Sequence, residues 1–546
     1  MPDTKKAVVK QAAFLMAAQM ISSVISLLYR TPLHLIMGDL GDGYYSMVYD
    51  WYTIILLISS YSIPSAVSKV MAERLARKEY KDAQKVFHAA LIYVAIVGGV
   101  GALLAYFGAP LFLSTQPDAV LALRILAPTI LLSGFLGSLR GYFQAQNTMM
   151  PTAISQVAEQ VVNAVMSVLA AWLFTRAVLG DDNLVGKFGA AGGCLGTGAG
   201  VVTGIIIMLV IYGINKRTIK KRISRDRTGK DETYGEVFKV ILLMVTPIIF
   251  ATFIYNVSAN FNQLIYTNLM TARGVSAKDI ASQYGLFGYR FKPIINIPVA
   301  LASATSTALI PAVAASMGMN KRSEAAGKID ECIKLSMFIA IPSAVGMCIL
   351  SYPAIRLLYP TGDVQSAAVL LSFGAVSVVF YSLSTVTNGV LQGLGHPSVP
   401  VRNAAIALGV DIASAFLFVG VLNIGVFGIL LATVLYSFTV MTLNGMAVKG
   451  YIGYANKLKK NFFIPLEAAG VMGVVIGVLY WVPALILKKF FARLIVSDLW
   501  TVVVVIVGIL VYIVAYTRLA GLSDDEMRRL PMGTRLLSLL RKMKLR

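Results

Sequence analysis

The sequence predicts an all-α integral membrane protein with about fourteen transmembrane helices, arranged as two pseudo-symmetric six-helix lobes plus two additional C-terminal helices. Three observations support this fold class. Of the 546 residues, 57% are hydrophobic and only 14% are charged, and the mean hydropathy is +0.74. Apolar runs of about 20 residues recur along the chain. The two halves of the chain also share short motifs, which indicates an internal repeat.

Each apolar run of about 20 residues is long enough to cross the hydrocarbon core of a bilayer as a helix. The first run is too long for a cleaved signal peptide, so we expect it to be retained as the first span. The predicted spans cover residues 11–37, 44–72, 87–108, 120–143, 151–177, 190–214, 236–270, 280–314, 329–350, 364–389, 398–420, 424–448, 462–487 and 494–519.

The internal repeat defines the domains. The stretch RGYFQAQNTMMPT at 140–152 aligns with NGVLQGLGHPSVPV at 388–401, and IPSAV at 63–67 aligns with IPAVA at 310–314. Spans 1–6 therefore resemble spans 7–12, and an even number of spans makes the two copies parallel. The predicted domains are an N-lobe (1–214), a basic linker (215–235), a C-lobe (236–448), spans 13–14 (462–519) and a tail (520–546).

Loop charges set the orientation. With the N-terminus inside, cytoplasmic segments hold about 31 Lys and Arg and external segments about 8, as the positive-inside rule expects. Both termini are therefore predicted to be cytoplasmic, and the basic segments to meet anionic lipid. The formal charge of +22 does not indicate nucleic-acid binding, because no soluble stretch is long enough for such a domain.

Several functional classes lack their motifs. The chain has no G-x-x-x-x-G-K-[ST] for nucleotide phosphates and no H-E-x-x-H for zinc. Its three cysteines and three histidines are scattered, so no metal site or disulfide framework is expected. The external loops are short, which disfavours an enzyme, although a membrane glycosyltransferase stays as an alternative.

Basic residues inside the spans point to a binding site. Arg30 lies about eight residues from the external end of span 1, roughly 12 Å. Arg290 lies about ten residues into span 8, roughly 15 Å, with Lys292 beside it. Pro32 and Pro293 should break these helices, which at membrane depth is tolerated only beside a cavity or other protein. We therefore expect a cationic cavity between the lobes that receives an anion, and phosphate or diphosphate fits arginine best.

Other roles for these basic residues remain open at this stage. Either arginine could pair with an acid as a structural clamp, and Arg30 could also extend outward to the interface. Lys69, near the cytoplasmic end of span 2, could bind substrate or extend to the interface in the same way. The acids available as clamps are Asp50, Glu159, Asp411 and Glu467.

Three motifs carry a family resemblance over nearly the whole chain: LISSYSIPSAVSK (57–69), YRFKPIINIPVALASATSTALIPA (289–312) and GVLQGLGHPSVP (389–400). They resemble the polysaccharide-transport branch of the multidrug/oligosaccharidyl-lipid/polysaccharide exporter (MOP) superfamily. Within that branch the chain is most similar to the YtgP/SpoVB-like proteins, which include the MurJ-type lipid II flippases.

The resemblance implies a flippase that moves a polyprenyl-diphosphate-linked oligosaccharide, such as the peptidoglycan precursor lipid II, across the bacterial cytoplasmic membrane by alternating access. Arg290 matches the essential span-8 arginine of the flippases, and Arg30 falls close to a span-1 arginine. Spans 13 and 14 resemble the pair that forms a groove for the polyprenyl tail. The span-2 arginine of Gram-negative-type members has no counterpart in LLISSYS (56–62).

Coupling and cargo have alternatives. The span-7 acid that helps to bind sodium in some members is absent, but Asn256 and Asn260 stand in that region, and Asp411 lies within span 11. We expect these three residues to bind Na⁺ or to respond to H⁺, or the membrane potential to drive transport, with no other cofactor. We expect a monomer. The alternatives are a flippase for a teichoic acid or spore-wall precursor, or a cation-coupled drug exporter of the same superfamily.

Overall fold

The computed structural model describes residues 2–521 except 62, 225, 227, 229–231, 320, 455–456 and 487–493. The described residues form helices and connections, without a strand. The chain divides into two compact units, residues 1–289 and 290–546.

Among its described residues, the first unit contains ten α-helices. In chain order they are α1 (Pro2–Leu28), α2 (Arg30–Leu56), α3 (Ile63–Ala76), α4 (Tyr80–Phe112), α5 (Val120–Ala145), α6 (Met150–Thr175), α7 (Asp182–Ile223), α8 (Tyr234–Asn256), α9 (Ser258–Ala272) and α10 (Ala277–Gly285). A π-helical segment, Leu57–Tyr61, follows α2.

The second unit contains the remaining α-helices of the described chain. They are α11 (Lys292–Gly318), α12 (Arg322–Ile349), α13 (Ser351–Leu358), α14 (Val364–Gly374), α15 (Ser377–Gly393), α16 (Ser398–Ala415), α17 (Val426–Ile452), α18 (Ile464–Ile486) and α19 (Leu494–Ala520). A π-helical segment, Phe416–Val421, follows α16, and another, Lys459–Phe463, precedes α18.

The all-helical membrane fold is confirmed, whereas the count of fourteen spans is not. Within the described residues, eleven helices are long and apolar enough to cross a membrane, and α14 with α15 adds a twelfth if this pair, bent by 45°, is one span. Predicted span 7 is α8 and α9, with a break at Val257. Predicted spans 1 and 8 are helical as well, but they are not among the eleven.

Small residues let α7 pack closely on α6. Gly192, Gly196 and Gly200 are spaced by four residues and so lie on one face of α7. A Cβ at Gly192 would lie 2.4 Å from Ala171 N, and one at Gly196 would lie 2.3 Å from Ser167 N. In lipid, apolar surface alone does not drive helices to associate. Close packing supplies the van der Waals contacts that hold α6 and α7 together.

Helix α2 contains a sharp break at Gly38, where φ is +66°. A side chain is strained in this region of φ, so glycine suits the position. The break brings His34 back to Asp42, and His34 Nδ1 lies 2.9 Å from Asp42 Oδ2 with both residues fully buried. This pair ties the two parts of α2 together.

The connection from α7 to α8 is fastened to the end of α3 and to the first two turns of α4. Glu232 accepts hydrogen bonds from Arg74 Nε at 3.0 Å and Nη2 at 2.6 Å. The Glu232 N–H donates to Asp82, and the Glu232 carbonyl accepts from Lys85 Nζ at 2.7 Å. Asp226 accepts from the Lys81 N–H at 2.8 Å. Burial raises the pKa of Asp226, but the hydrogen bonds from Lys81 and Thr228 outweigh it, so that the pKa lies below its usual value.

The two C-terminal helices belong to the second unit. Helix α18 packs against α12 and α19. Asp330 on α12 accepts from Tyr454 Oη at 2.8 Å and Asn461 Nδ2 at 2.9 Å, and it pairs with Lys457 at 3.3 Å. Phe338 on α12 contacts the rings of Tyr512 and Tyr516 on α19. A role of this pair in holding a lipid tail stays a prediction.

We predict that Gly43→Ala lowers the stability of the protein. Helix α10 crosses α2 so closely that a Cβ at Gly43 would lie 1.9 Å from the Ala281 carbonyl oxygen, a backbone atom that cannot move aside. Overpacking of this kind costs about 1–3 kcal/mol. Gly99→Ala in α4 is the matched control, because nothing lies within 4 Å of its added Cβ. Thermal unfolding in detergent should separate the two variants, and equal melting temperatures would contradict the close crossing.

Candidate functional site

Arg30 is the first residue of α2 because the helix before it cannot continue. Pro32 has no N–H to donate to the Leu28 carbonyl, and its ring would clash with that carbonyl. Helix α1 accordingly ends at Leu28, and α2 begins after Tyr29. The break that proline predicts is present, and it lies on the N-terminal side of Arg30.

The Arg30 side chain is held by Tyr289. Arg30 Nη1 donates to the Tyr289 carbonyl oxygen at 3.2 Å, and Tyr289 Oη donates to the Arg30 carbonyl oxygen at 3.0 Å. The guanidinium carbon lies 4.8 Å from the centre of the Tyr289 ring and 5.9 Å from that of Tyr45. Each residue thus bonds the backbone of the other, and the cation rests on two aromatic faces.

Further tyrosines fix these two rings. Tyr45 stacks on Tyr49 at 4.4 Å and meets Tyr289 edge-on at 5.5 Å. The hydroxyls of Tyr29 and Tyr45 are 3.1 Å apart, and the hydroxyl of Tyr49 bonds that of Thr197. We call Tyr29, Tyr45, Tyr49 and Tyr289 the tyrosine cage. It keeps the guanidinium of Arg30 in one orientation.

Arg290 lies in a π-helical segment, Leu286–Phe291. Such a turn holds one more residue than an α-turn and occurs frequently at functional sites. Pro293 follows, and it has no N–H for the carbonyl four residues earlier, that of Tyr289. That carbonyl is the one that accepts from Arg30.

Arg290 is the largest fully buried side chain of the described protein, with an exposed fraction of 0%. Its guanidinium carbon lies 5.7 Å from the centre of the buried Tyr359 ring, which follows α13. Lys292 is half-buried in the first turn of α11. Arginine stays charged in any protein environment, so a full positive charge is enclosed here.

Two of the acids considered as clamps accept hydrogen bonds from other residues of the first unit. Glu159 accepts from Arg140 Nη2 at 2.6 Å, and Asp50 accepts from Tyr284 Oη at 2.5 Å. Glu467 is exposed on α18, and Asp411 is fully buried on α16. Glu159 is thus the partner of a different arginine.

The remaining predicted site residues lie on other helices. Lys69 is exposed on α3. Asn256 is exposed, and its Nδ2 donates to the Thr252 carbonyl, whereas Asn260 is buried on α9. Asp411 interacts electrostatically with Tyr381 on α15. Asn256 and Asn260 belong to the first unit and Asp411 to the second. Their ion-coupling role stays a prediction, as do the substrate-binding roles of Arg30, Lys69, Arg290 and Lys292.

One group in the described part of the chain has the donor set of a cation site. His34, Asp39 and Asp42 each offer a ligand atom, and these atoms lie within 4.8 Å of one another. Imidazole nitrogen with two carboxylates suits a divalent transition metal. The sequence does not predict this group, because its scattered histidines show no ligand spacing.

The tyrosine cage was not predicted either, although the sequence contains a signal for it. Each arginine follows a tyrosine and precedes a proline by two or three residues, in YRTP (29–32) and YRFKP (289–293). Four more tyrosines lie close together in GYYSMVYDWY, at 43–52. Aromatic rings beside a buried cation are a common means of holding it.

These features define a class: a polytopic α-helical membrane protein with arginines held at breaks of its apolar helices. The family described as "Polysaccharide biosynthesis protein" matches residues 8–317, more than half of the chain, and the family described as "MatE" matches residues 247–417. The chain belongs to the polysaccharide biosynthesis protein family, within the MOP superfamily.

Characterised relatives cover most of the chain. It is 23% identical over 528 residues to the lipid II flippase MurJ of Bacillus subtilis (strain 168), covering 94% of this chain and 95% of the relative. It is 24% identical over 463 residues to the stage V sporulation protein B of the same organism, covering 84% and 86%.

The solved structure of a lipid II flippase MurJ in an inward closed conformation has the same fold. The TM-score is 0.65 at 16% identity, and the match covers 92% of this chain and 98% of that one. An inward-facing multidrug resistance MATE transporter of the MOP superfamily matches with a TM-score of 0.61 at 15% identity, over 81% and 98%. The likeness to both shows the fold.

We predict that Tyr289→Phe destabilises the protein by about 1 kcal/mol, because it removes the hydroxyl that donates to the Arg30 carbonyl and keeps the ring under the guanidinium. Tyr289→Leu should cost about 0.5–2 kcal/mol more, since the cation–ring contact is lost as well. Tyr106→Phe, at a ring that is 43% exposed, is the control and should change nothing. Denaturant titration in lipid–detergent micelles measures all three. A neutral Tyr289→Leu would rule out the cage.

Proposed function

We propose that this protein is a flippase for a lipid-linked glycan and that its cargo is lipid II, carried from the inner to the outer leaflet. The chain belongs to a polysaccharide biosynthesis family, and a relative covering nearly its whole length is a lipid II flippase. The observation that carries the proposal is the fully buried Arg290 in a π-helical break of an apolar helix.

The chemistry of Arg290 supports a diphosphate ligand. A charge at membrane depth costs about 2.5–3.5 kcal/mol even on insertion scales, so it marks a functional site by default. The planar guanidinium bonds two phosphate oxygens at once, which an ammonium cannot do. We propose that Arg290 binds the diphosphate, helped by Lys292 and Arg30, and that Lys69 meets the headgroup on the cytoplasmic side.

In this proposal Arg30 acts differently from Arg290, because the tyrosine cage holds its side chain. Tyr289 fixes its guanidinium by a hydrogen bond and a ring face, so its charge stays in one place. A preorganised donor loses little entropy when the ligand arrives. Arg30 thus acts as a fixed positive charge that attracts the anionic headgroup.

Transport follows an alternating-access cycle in this proposal. The headgroup enters from the cytoplasm, the protein changes conformation, and the headgroup leaves outside. The membrane potential favours outward movement of an anion, by about 2.3 kcal/mol per elementary charge and 100 mV. Transport of this kind makes and breaks no covalent bond.

The cargo is tested by complementation. The chain is expressed in a bacterium depleted of its own lipid II flippases, and external lipid II is measured with an added lipid II-cleaving enzyme. We expect external lipid II to return. If instead a teichoic acid or spore-wall precursor crosses, the cargo assignment fails while the flippase class stands. If a cationic drug is exported and no precursor moves, the flippase proposal fails.

We predict that Arg290→Ala abolishes external lipid II at normal expression, whereas Arg290→Lys restores only part of it. The alanine variant removes the charge, and the lysine variant keeps the charge but loses the two-point contact. Arg124→Ala is the matched control: Arg124 also lies over a tyrosine, Tyr106, at 5.5 Å, but at a more exposed place. Full activity of Arg290→Ala would refute the diphosphate-binding role.

We predict that Asp411→Asn removes any sodium dependence of transport, because cations of this kind are bound by oxygen ligands and the substitution removes the negative charge at a fully buried position. Asn256→Ala and Asn260→Ala should each weaken the sodium dependence of transport. Asp82→Asn is the control for the loss of a buried carboxylate in the first unit. Transport rates are compared in sodium and potassium media. Sodium dependence that persists in Asp411→Asn would refute the proposed coupling role of Asp411.

We also propose that both termini are cytoplasmic. Cysteines are placed at Thr228 and at Asp182, next to the N-cap of α7. The first should resist an impermeant thiol reagent in intact cells, and the second should react, as the positive-inside rule requires. The reverse labelling pattern would invert the orientation.

A further inference from the structure

The first unit contains a cavity of about 380 Å³ between α2, α4 and the α8–α9 pair. Its wall is almost entirely apolar, and the residues that shape it include Ile55, Ile58, Val97, Leu104, Phe253 and Phe261. Ile58 is 40% and Leu104 is 56% exposed, so the cavity opens on the outer surface of the unit. We call it the α4 groove.

The α4 groove follows α4 over a long distance. Its lining residues on this helix run from Val97 to Phe112, which are fifteen residue steps apart, or roughly 22 Å at helical rise. That exceeds half of the ~30 Å hydrocarbon core, the part that one leaflet fills. At the Phe112 end the ring of Trp51 stacks on Phe112, with ring centres 4.6 Å apart. The groove therefore has the length of a lipid chain and an aromatic end.

Two hydrogen-bond donors lie in this apolar wall. Trp51 Nε1 and Asn260 Nδ2 are buried, and neither has an acceptor in the described protein. Asn260 is 4% exposed and lines the groove. A buried donor without an acceptor is costly, and the hydrocarbon core offers no water to supply one. The missing acceptors must come with whatever fills the groove.

We propose that the α4 groove binds a diacyl phospholipid, with one acyl chain along α4 and the ester carbonyls accepting hydrogen bonds from Trp51 Nε1 and Asn260 Nδ2. The occupant must combine a long hydrocarbon with acceptors near one end. A phospholipid has both, and its two esters match the two donors. An isoprenoid chain is hydrocarbon alone and leaves both donors without acceptors. An organic cation is disfavoured because no acidic residue lines the groove.

The groove is distinct from the proposed diphosphate site and shares only Asn260 with the proposed ion-coupling residues, and lipid binding to it does not require flippase activity. Its lining residues come from α2 with the π-helical segment after it, from α4 and from the α8–α9 pair, so a bound lipid would join four helices of the first unit. The lipid acts as a structural part of that unit, in the way that a buried side chain fills a cavity.

Tryptophan fluorescence tests the proposal, because the chain has only four tryptophans. The full-length protein with Trp172, Trp481 and Trp500 replaced by Phe reports on Trp51 alone. It is titrated in detergent with a phospholipid that carries bromine on its acyl chains, which quenches nearby indoles. We expect quenching that saturates near one lipid per protein. The matched control keeps Trp172 alone, which is 45% exposed on α6 and should be quenched only in proportion to the lipid fraction of the micelle.

Two variants test the groove itself. Asn260→Leu should raise the half-saturating lipid concentration about tenfold, which corresponds to about 1.4 kcal/mol. Val97→Phe fills the groove and should abolish the saturable part. In the wild-type background, Trp51→Phe should remove the same saturable part, which guards against misfolding of the single-tryptophan protein.

Two results would overturn the proposal. One is Trp51 quenching that parallels that of Trp172 at every lipid fraction, since it would mean contact with bulk lipid only. The other is equal half-saturation by a brominated isoprenoid alcohol without an ester, since it would show that the donors do not select the occupant.

Discussion

Hydrocarbon offers no hydrogen bonds, and this constraint determines where the helices of this protein can break. A backbone N–H or C=O released in the bilayer must find a partner inside the protein. The breaks at Tyr29 and at the π-helical segment Leu286–Phe291 obey this rule. Pro293 has no N–H to donate to the Tyr289 carbonyl, and Arg30 donates to it instead. A proline that weakens one helix thereby creates the acceptor that fixes a charged side chain on another.

The same constraint separates the two arginines. Arg30 is half-buried, shares reciprocal hydrogen bonds with Tyr289 and rests on rings. Arg290 is enclosed beside Tyr359. The guanidinium groups of Arg30 and Arg290 both lie over tyrosine rings, whose negative faces attract a cation, whereas Arg140 pairs with Glu159 at 2.6 Å.

Hydropathy and repeated motifs were enough to predict the fold class, and charged residues in apolar runs pointed to Arg30 and Arg290. The prolines also located the breaks beside both arginines, because the reason is covalent. Other breaks had no such cause: α8 ends at Asn256 without a proline, and the π-helical segment Phe416–Val421 is wholly apolar. The tyrosine cage escaped prediction because hydropathy does not tell whether a ring faces lipid or protein. Long-range pairs such as Arg140 with Glu159 depend on the rotation of each helix about its axis, which composition does not specify.

The fastening of the α7–α8 connection has a consequence for the integrity of the chain. Asp226 is bound to α4 on one side of residues 227–231, and Glu232 is bound to α3 and α4 on the other. Helix α8 also packs directly on α3 and α4. These contacts therefore hold α8 in the first unit independently of the peptide bonds between Asp226 and Glu232. A chain cut there would leave both new ends attached by charge-assisted hydrogen bonds, so that two separately synthesised fragments, divided between the sequence repeats, contain the contacts needed to reassemble.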